Sequence, residues 1–399
     1  MYKTRKGWES AGKWLSGSVL ATLLLGNAFY LGYKFNETEV LQNDRDLTMK
    51  VLQVESKLKK QHLYAKKVSD AQMIDGAMEG LVASMGDPYT RYVSEKDYKE
   101  FETQKAGSFG GIGVTLDQTS DDNGLKIGGT SKGTSAAEAG LKKNDVITKI
   151  DGSSVKNLGI DKAVGMIRGE VGSKVNVTIK RDGKEFEVPL KRKKIEMTIV
   201  SGTMLPKSKV GYIKIDSFTR VSAKQFEKTY KKLEKQGMTS FVLDLRSNPG
   251  GLVDSAVDLL GVFVGEDKVA VKVKSKDFET EMRTKKPTYR VDKPYAILVD
   301  GQTASAAEIL ASALEDYQGI ELIGSKTFGK GLIQDSMALD KESAIIYTVS
   351  EYLTPKGHVI NHKGIKPTIS LEQTQEDYQK GVDTLIERAT DVLQKETRP

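Results

Sequence analysis

A chain of 399 residues with 38% hydrophobic content and 38 glycines is long enough for two or three domains, and its composition is that of a folded protein rich in turns. It has no cysteine, which excludes disulfides, thiol catalysis and cysteine-based zinc sites, and only three histidines, which limits any histidine-based triad. The net charge of +7 comes from lysines spread along the chain among Asp and Glu, the pattern of a solvated surface and not of a nucleic-acid-binding module.

Residues 1–35 open with Lys3, Arg5, Lys6 and Lys13, and Trp14 to Tyr33 then runs without a charge. Twenty residues of helix span about 30 Å, the thickness of a bilayer core. With Trp14, Tyr30 and Tyr33 at the interfaces and a basic flank, this predicts a single-pass anchor in the cell membrane, cytoplasmic N-terminus first, with the rest of the chain extracytoplasmic. A cleaved signal peptide, leaving a secreted protein, is the alternative.

Residues 36–106 predict a helical stalk and an N-terminal helical part. Val40, Leu47, Val51, Val54 and Leu58 recur at near-heptad spacing, as in a self-pairing helix. Lys66 to Met85 reads as an amphipathic helix, ended by Gly86-Asp87-Pro88-Tyr89-Thr90.

Residues 107–191 predict a small, mostly β module. Gly110-Gly111-Ile112-Gly113-Val114 opens a strand, Val146 to Ile150 alternates up to Asp151-Gly152, and Asp161 to Arg168 is a short helix. Val175–Ile179 and Phe186–Leu190 form a hairpin around Asp182-Gly183. This order resembles a circularly permuted bacterial PDZ domain, Leu141-Lys142-Lys143-Asn144-Asp145-Val146-Ile147 being the most specific part of the match. The resemblance implies that N–H groups of Gly110, Gly111, Ile112 and Gly113 hold a peptide's C-terminal carboxylate, while the peptide adds as a strand beside Ile112 and Val114. Arg168 reads as a helix C-terminal cation or as a carboxylate sensor near that groove.

Residues 192–373 alternate strands and helices, as in an α/β core, and residues 374–399 carry a helix over Glu376–Lys395. The stalk and this terminal helix are amphipathic enough to mediate a homodimer, or to pack on the core. Around His358 and His362, Pro355, Gly357, Gly364 and Pro367 mark a loop and not a helical metal site, so neither a metal nor a cofactor is expected.

Three stretches of this core carry chemistry. Ser305 follows the apolar strand Tyr295–Val299 and starts the helix from Ala306, where unpaired N–H groups favour negative charge. Ser305 and Glu308 also spell a capping box, and Thr303 is the cap if the Ser305 hydroxyl is free. Asn248-Pro249-Gly250-Gly251, between a strand and a helix, is a plain turn or a source of oxyanion-binding N–H groups. Lys330, free between Gly329 and Gly331, shares a face with Gln334 four residues on. A lysine can deprotonate a serine if burial or positive potential lowers its pKa from about 10.4, so a Ser–Lys dyad fits a chain without cysteine or a well-placed histidine.

Together these motifs, over residues 65–390, resemble the carboxy-terminal processing (tail-specific) peptidase family. The resemblance implies an α/β (α+β) multidomain protein with a crotonase/ClpP-like peptidase core and an inserted PDZ domain. It implies Ser305 as nucleophile, Lys330 as general base and Gln334 as its orienting partner, with Ala306 and either Gly250 or Gly251 as the oxyanion hole. The expected substrates are proteins with accessible C-terminal tails, apolar at the end, and the PDZ domain is expected to gate their cleavage. The competing readings are a PDZ scaffold that no longer cleaves and an acyl-transferring crotonase-type enzyme, for which no CoA-like pocket is evident.

Overall fold

A computed structural model of the chain describes residues 45–117 and 124–396. These fall into two compact units, one up to Leu81 and one from Val82 onward. The expected single-pass membrane protein is not supported: among the described residues no helix is long and apolar enough to cross a membrane. The stretch Trp14–Tyr33 itself lies outside the described residues.

In the first unit, helix α1 (Arg45–Gln61) leaves Leu47, Val51, Val54 and Leu58 exposed. The next helix, α2 (Asp70–Ala83), starts four residues later than the sequence suggested. Ser69 caps it reciprocally, its N–H donating to Gln72 Oε1 at 2.9 Å and its Oγ accepting from the Gln72 N–H at 3.2 Å.

In the second unit, the turn Asp87–Thr90 leads into β1 (Arg91–Val93) and α3 (Glu95–Ala106). Gly107, in the left-handed region at φ 63°, ends α3; a Cβ there would fall 2.4 Å from Thr219 Oγ1. The small module follows as β2 (Ser108–Gly111), β3 (Val114–Leu116), β4 (Leu125–Thr130), α4 (Ser135–Glu138), β5 (Val146–Ile150) and β6 (Ser153–Ser154). It continues with α5 (Ile160–Ile167), β7 (Lys174–Arg181), β8 (Lys184–Lys191) and β9 (Lys193–Glu196). Its sheet runs β3-β4-β5-β7-β8, with β3 at one edge, while β2 and β9 pair where the chain enters and leaves. Ile112, Ile127, Ile147, Ile150, Val177 and Ile179 fill its core.

The remaining chain begins with β10 (Val200–Met204), β11 (Val210–Ile215), α6 (Ser222–Lys235), β12 (Ser240–Asp244), α7 (Val253–Val264), β13 (Val269–Ser275) and β14 (Glu279–Arg283). It goes on with β15 (Tyr295–Val299), α8 (Ala306–Gln318), β16 (Leu322–Gly324), β17 (Leu332–Ala338), β18 (Ala344–Leu353), β19 (Ile369–Ser370), α9 (Gln375–Lys380) and α10 (Thr384–Glu396). One sheet runs β10-β11-β12-β15-β16-β19 and is parallel from β11 onward. Both its faces are covered, which is why Phe241–Leu243 of β12 and the whole of β15 read as unbroken apolar runs. Phe241, Leu243, Ile297 and Val299 pack with Phe226 of α6, Phe263 of α7 and Leu310 of α8. Val242, Ala296 and Leu298 pack with Leu385, Ala389 and Leu393 of α10.

The expected helix Glu376–Lys395 is therefore two helices, broken near Gly381 at φ 66°, and the apolar face of the second is used by the core. A second sheet runs β1-β18-β13-β14, with β17 also on β18. The segment Ile345–Val349 lies within β18 of this antiparallel sheet.

Phe241 is fully buried, its ring 5.2 Å from Tyr295 and 5.7 Å from Tyr230. Phe241→Ala should destabilise this core by about 3–5 kcal/mol, read from the shift of its urea unfolding midpoint.

Candidate active site

Strands β12 and β15 are adjacent and parallel, so the loops that follow them leave the sheet at the same edge, where α/β sheets place their ligands. Side chains lock the two loops together. The Thr303 hydroxyl donates to the Leu245 carbonyl at 2.9 Å and accepts from the Asp300 N–H at 2.9 Å, so Thr303 is not the cap of α8. The Asp300 carboxylate accepts from the Ser247 N–H at 3.0 Å. Fully buried Asn248 donates through Nδ2 to the Ile215 carbonyl at 2.8 Å, and its own carbonyl accepts from the Ala304 N–H at 2.9 Å.

Ser305 stands at the end of the second loop with φ 55° and ψ −119°, a strained conformation for a residue with a side chain. Such a strand-to-helix turn lifts a side chain out of the sheet toward the cleft. Gly250 packs directly beneath: a Cβ there would lie 2.8 Å from Ser305 Cβ and 2.9 Å from the Ala306 nitrogen. The Gly250 N–H is already given to Asn248 Oδ1 at 2.8 Å. Those of Gly251 and Ala306 donate to no group among the described residues.

Glu308 joins Ser305 to Lys330. Its fully buried carboxylate accepts four hydrogen bonds: Oε1 from the Thr327 hydroxyl at 2.6 Å and the Gly329 N–H at 2.8 Å, Oε2 from the Ser305 N–H at 2.8 Å and the Lys330 N–H at 2.9 Å. The sequence-predicted capping box is present in outline, but the Ser305 hydroxyl forms no close capping hydrogen bond. On the carbonyl side, the buried Tyr352 hydroxyl donates to Lys330 O at 2.5 Å and lies 3.1 Å from Ser305 O. Burial holds this hydroxyl well above its usual pKa and therefore protonated.

The glycines beside Lys330 serve packing more than freedom. A Cβ on Gly329 would come 2.8 Å from the Gly364 nitrogen, and one on Gly331 would come 2.4 Å from that of Asn361. The Lys330 ammonium lies 4.4 Å from the centre of the Tyr89 ring. Burial lowers its pKa from the ordinary lysine value, opposed by the negative charge of Asp87. Gln334 does not reach it. Lys330 lies in the turn before β17 and not on the strand, so the four-residue spacing does not set the two side chains on one face, and Gln334 Nε2 donates to Thr348 Oγ1 at 3.4 Å. Among the described residues no hydrogen bond joins Lys330 Nζ to Ser305 or Gln334. All three nevertheless line one cleft of about 1080 Å³, together with Gly250, Gly251 and Met197.

The module's predicted residues are differently placed. Gly110 and Gly111 pair with Lys194 and Lys193, and Ile112 is buried in the module core. Gly113, at φ 81°, lies against Thr134, and Val114 starts the edge strand β3. The Arg168 guanidinium sits 4.3 Å over the Phe109 ring and 3.5 Å from Glu100 on α3, with its Nε buried and without a partner. Sequence reasoning missed Tyr352, which carries no motif of its own, named Asn248 only as the first residue of a glycine-containing turn, and read Tyr89 only as part of a boundary turn. Glu308 was visible only as half of a capping box.

The chain was compared with known proteins. Residues 209–371 match the model of peptidase family S41, residues 101–180 that of the PDZ domain, and residues 28–97 that of the activating protease CtpB N-terminal domain. The carboxy-terminal processing protease CtpA of Bacillus subtilis (strain 168) is 35% identical over 356 residues, 89% of this chain and 74% of that protein. A probable CtpA-like serine protease of Staphylococcus aureus (strain COL) is 34% identical over 360 residues, 90% of this chain and 71% of that protein. Among solved structures, the photosystem II D1 C-terminal processing protease is 28% identical, covering 80% of this chain and 85% of that one with a TM-score of 0.45. The chain accordingly belongs to the C-terminal processing proteases of peptidase family S41, serine-type endopeptidases, and carries a PDZ domain within its α/β architecture.

Proposed function

We propose that the cleft cleaves unfolded protein tails with Ser305 as nucleophile and Lys330 as general base. The observation that carries this is the Glu308 carboxylate, which holds the backbones of Ser305 and Lys330 on one oxygen at the wall of a single cleft. Neutral Lys330 takes the Ser305 proton as Oγ bonds to the scissile carbonyl carbon. The oxyanion so formed accepts hydrogen bonds from the Ala306 and Gly251 N–H groups, the two left without acceptors, while Gly250 serves by close approach. The ammonium then protonates the leaving nitrogen as the C–N bond breaks, and water releases the acyl group by the reverse sequence. Gln334 orients Lys330 once the dyad engages, after giving up Thr348.

We further infer that the substrate's C-terminal tail adds to β3, the edge strand of the PDZ sheet, and that this docking gates the dyad. Helix α3 is the physical link. Arg168 contacts Glu100 at its middle, and near its C-terminal end Lys105 Nζ donates to Ser336 Oγ at 3.2 Å, two residues beyond Gln334 on β17. A tail that draws Arg168 from Glu100 alters the support of that strand.

On an unfolded substrate with an apolar tail, Ser305→Ala and Lys330→Ala should each lower kcat by about 10⁴-fold or more; cleavage at the unmodified rate by either variant contradicts the dyad. Since the base works neutral and burial lowers its pKa, kcat/KM should rise with pH through a midpoint below about 10.4, which a pH–rate profile measures. Glu308→Gln replaces an acceptor oxygen by an N–H₂ group facing N–H donors, so kcat should fall by about 10²-fold with KM little changed. Arg168→Ala should narrow the rate difference between tail-bearing and tail-less peptides; equal rates for both peptides in the unmodified protein would remove the gate.

A further inference from the structure

The Lys330 ammonium rests on a group that the reaction as described does not use. Its nearest aromatic face is Tyr89, and the negative charge acting on it is Asp87. Both belong to the Asp87–Thr90 turn, which is internally tied: the Asp87 carboxylate accepts from the Tyr89 N–H at 3.0 Å and the Thr90 hydroxyl at 2.6 Å. The turn is also fixed to the second sheet. The Thr348 N–H lies 3.4 Å from Thr90 Oγ1, and Arg91 of β1 pairs with Ile346 of β18. Thr348 is the residue opposite Gln334, and its hydroxyl accepts from Gln334. Tyr89, Asp87 and Gln334 thus share one frame, whereas Ser305 stands on the edge of the parallel sheet.

The other polar groups around Lys330 are committed elsewhere. The Glu308 carboxylate on α8 is filled by its four donors, and the Tyr352 hydroxyl on β18 is turned to the Lys330 carbonyl. That leaves the Tyr89 π-face and the Asp87 charge as what favours the ammonium, a cation over a ring being stabilised by the ring's negative face.

We propose that Tyr89 and Asp87 are positioning residues for the catalytic base, forming a seat that holds Lys330 while it is charged and releases it toward Ser305 Oγ when it is neutral. The proposal rests on Lys330 as base. In the cycle, neutral Lys330 leaves the ring to accept the Ser305 proton, gives that proton to the leaving nitrogen, and returns to the seat if it is protonated again from water. The strength of the seat therefore sets the lowest pH at which the enzyme works.

The test compares unmodified protein, Tyr89→Phe, Tyr89→Leu, Asp87→Asn and Lys330→Ala by two readouts. One is the pH profile of kcat/KM on an unfolded, tail-bearing substrate. The other is the pH dependence of Lys330 acetylation by acetic anhydride, mapped by mass spectrometry, which reports the neutral amine without requiring catalysis. The Asp87 charge raises the lysine pKa and the negative face of the ring favours the same charged form, so Tyr89→Leu and Asp87→Asn should move the acid limb and the labelling midpoint to lower pH, by about 0.5 to 1.5 pH units for the ring. Tyr89→Phe keeps the aromatic face and should keep the profile. Unchanged labelling midpoints in both Tyr89→Leu and Asp87→Asn would overturn the seat. Cleavage by Lys330→Ala at the unmodified rate would instead overturn the base assignment, with the labelling still deciding the seat.

Discussion

The buried carboxylate of Glu308 is the constraint on which the site depends. Removing a carboxylate from water costs several kcal/mol unless its lone pairs are satisfied, and a carboxylate offers about four. Here four donors fill them, from Ser305, Thr327, Gly329 and Lys330. The same charge that would be intolerable alone becomes a template, satisfied jointly by the Ser305 turn and by the Thr327–Lys330 loop 19 to 22 residues beyond Glu308. Tyr352 repeats the logic from the other side, placing one hydroxyl against the carbonyls of Ser305 and Lys330. The backbones of Ser305 and Lys330 are fixed, while among the described residues no hydrogen bond joins their side chains.

The two sheets divide the labour. The parallel sheet, covered on both faces, provides the rigid edge from which Ser305 and the Asn248–Gly251 turn project. The antiparallel sheet carries Gln334, Thr348 and the turn under Lys330, and reaches the PDZ domain through α3. Ser305 thus projects from one layer while the turn against the Lys330 side chain belongs to the other, so a small displacement of one layer against the other alters the surroundings of that side chain without breaking either core. This is the kind of element that a docked tail can bias.

Much of this was legible in the sequence because it follows from local periodicity. Phe241–Leu243 and Tyr295–Val299 are apolar at every position, as strands buried on both faces are, and the turns after them contain Gly250, Gly251 and Ser305. The PDZ hairpin around Asp182-Gly183 follows from turn chemistry alone. What escaped were pairings between distant segments. Nothing near Tyr89 indicates that it lies beneath Lys330, 241 positions later in the chain, and Glu308 satisfies a local rule so well that its long-range role is hidden. The four-residue spacing of Lys330 and Gln334 misled because only Gln334 lies on β17, Lys330 standing in the turn before it. The terminal helix, amphipathic in isolation, found its apolar partner in the sheet.

The central claim is that Lys330 activates Ser305. Labelling with a fluorophosphonate, with the modified residue identified by mass spectrometry, tests this directly because it reports the nucleophilicity of the hydroxyl without substrate docking. Modification is expected at Ser305, faster as the pH rises through an ionisation below the ordinary lysine value, and lost in Lys330→Ala. Equal labelling of Ser305 in Lys330→Ala, or modification at another serine, would contradict it.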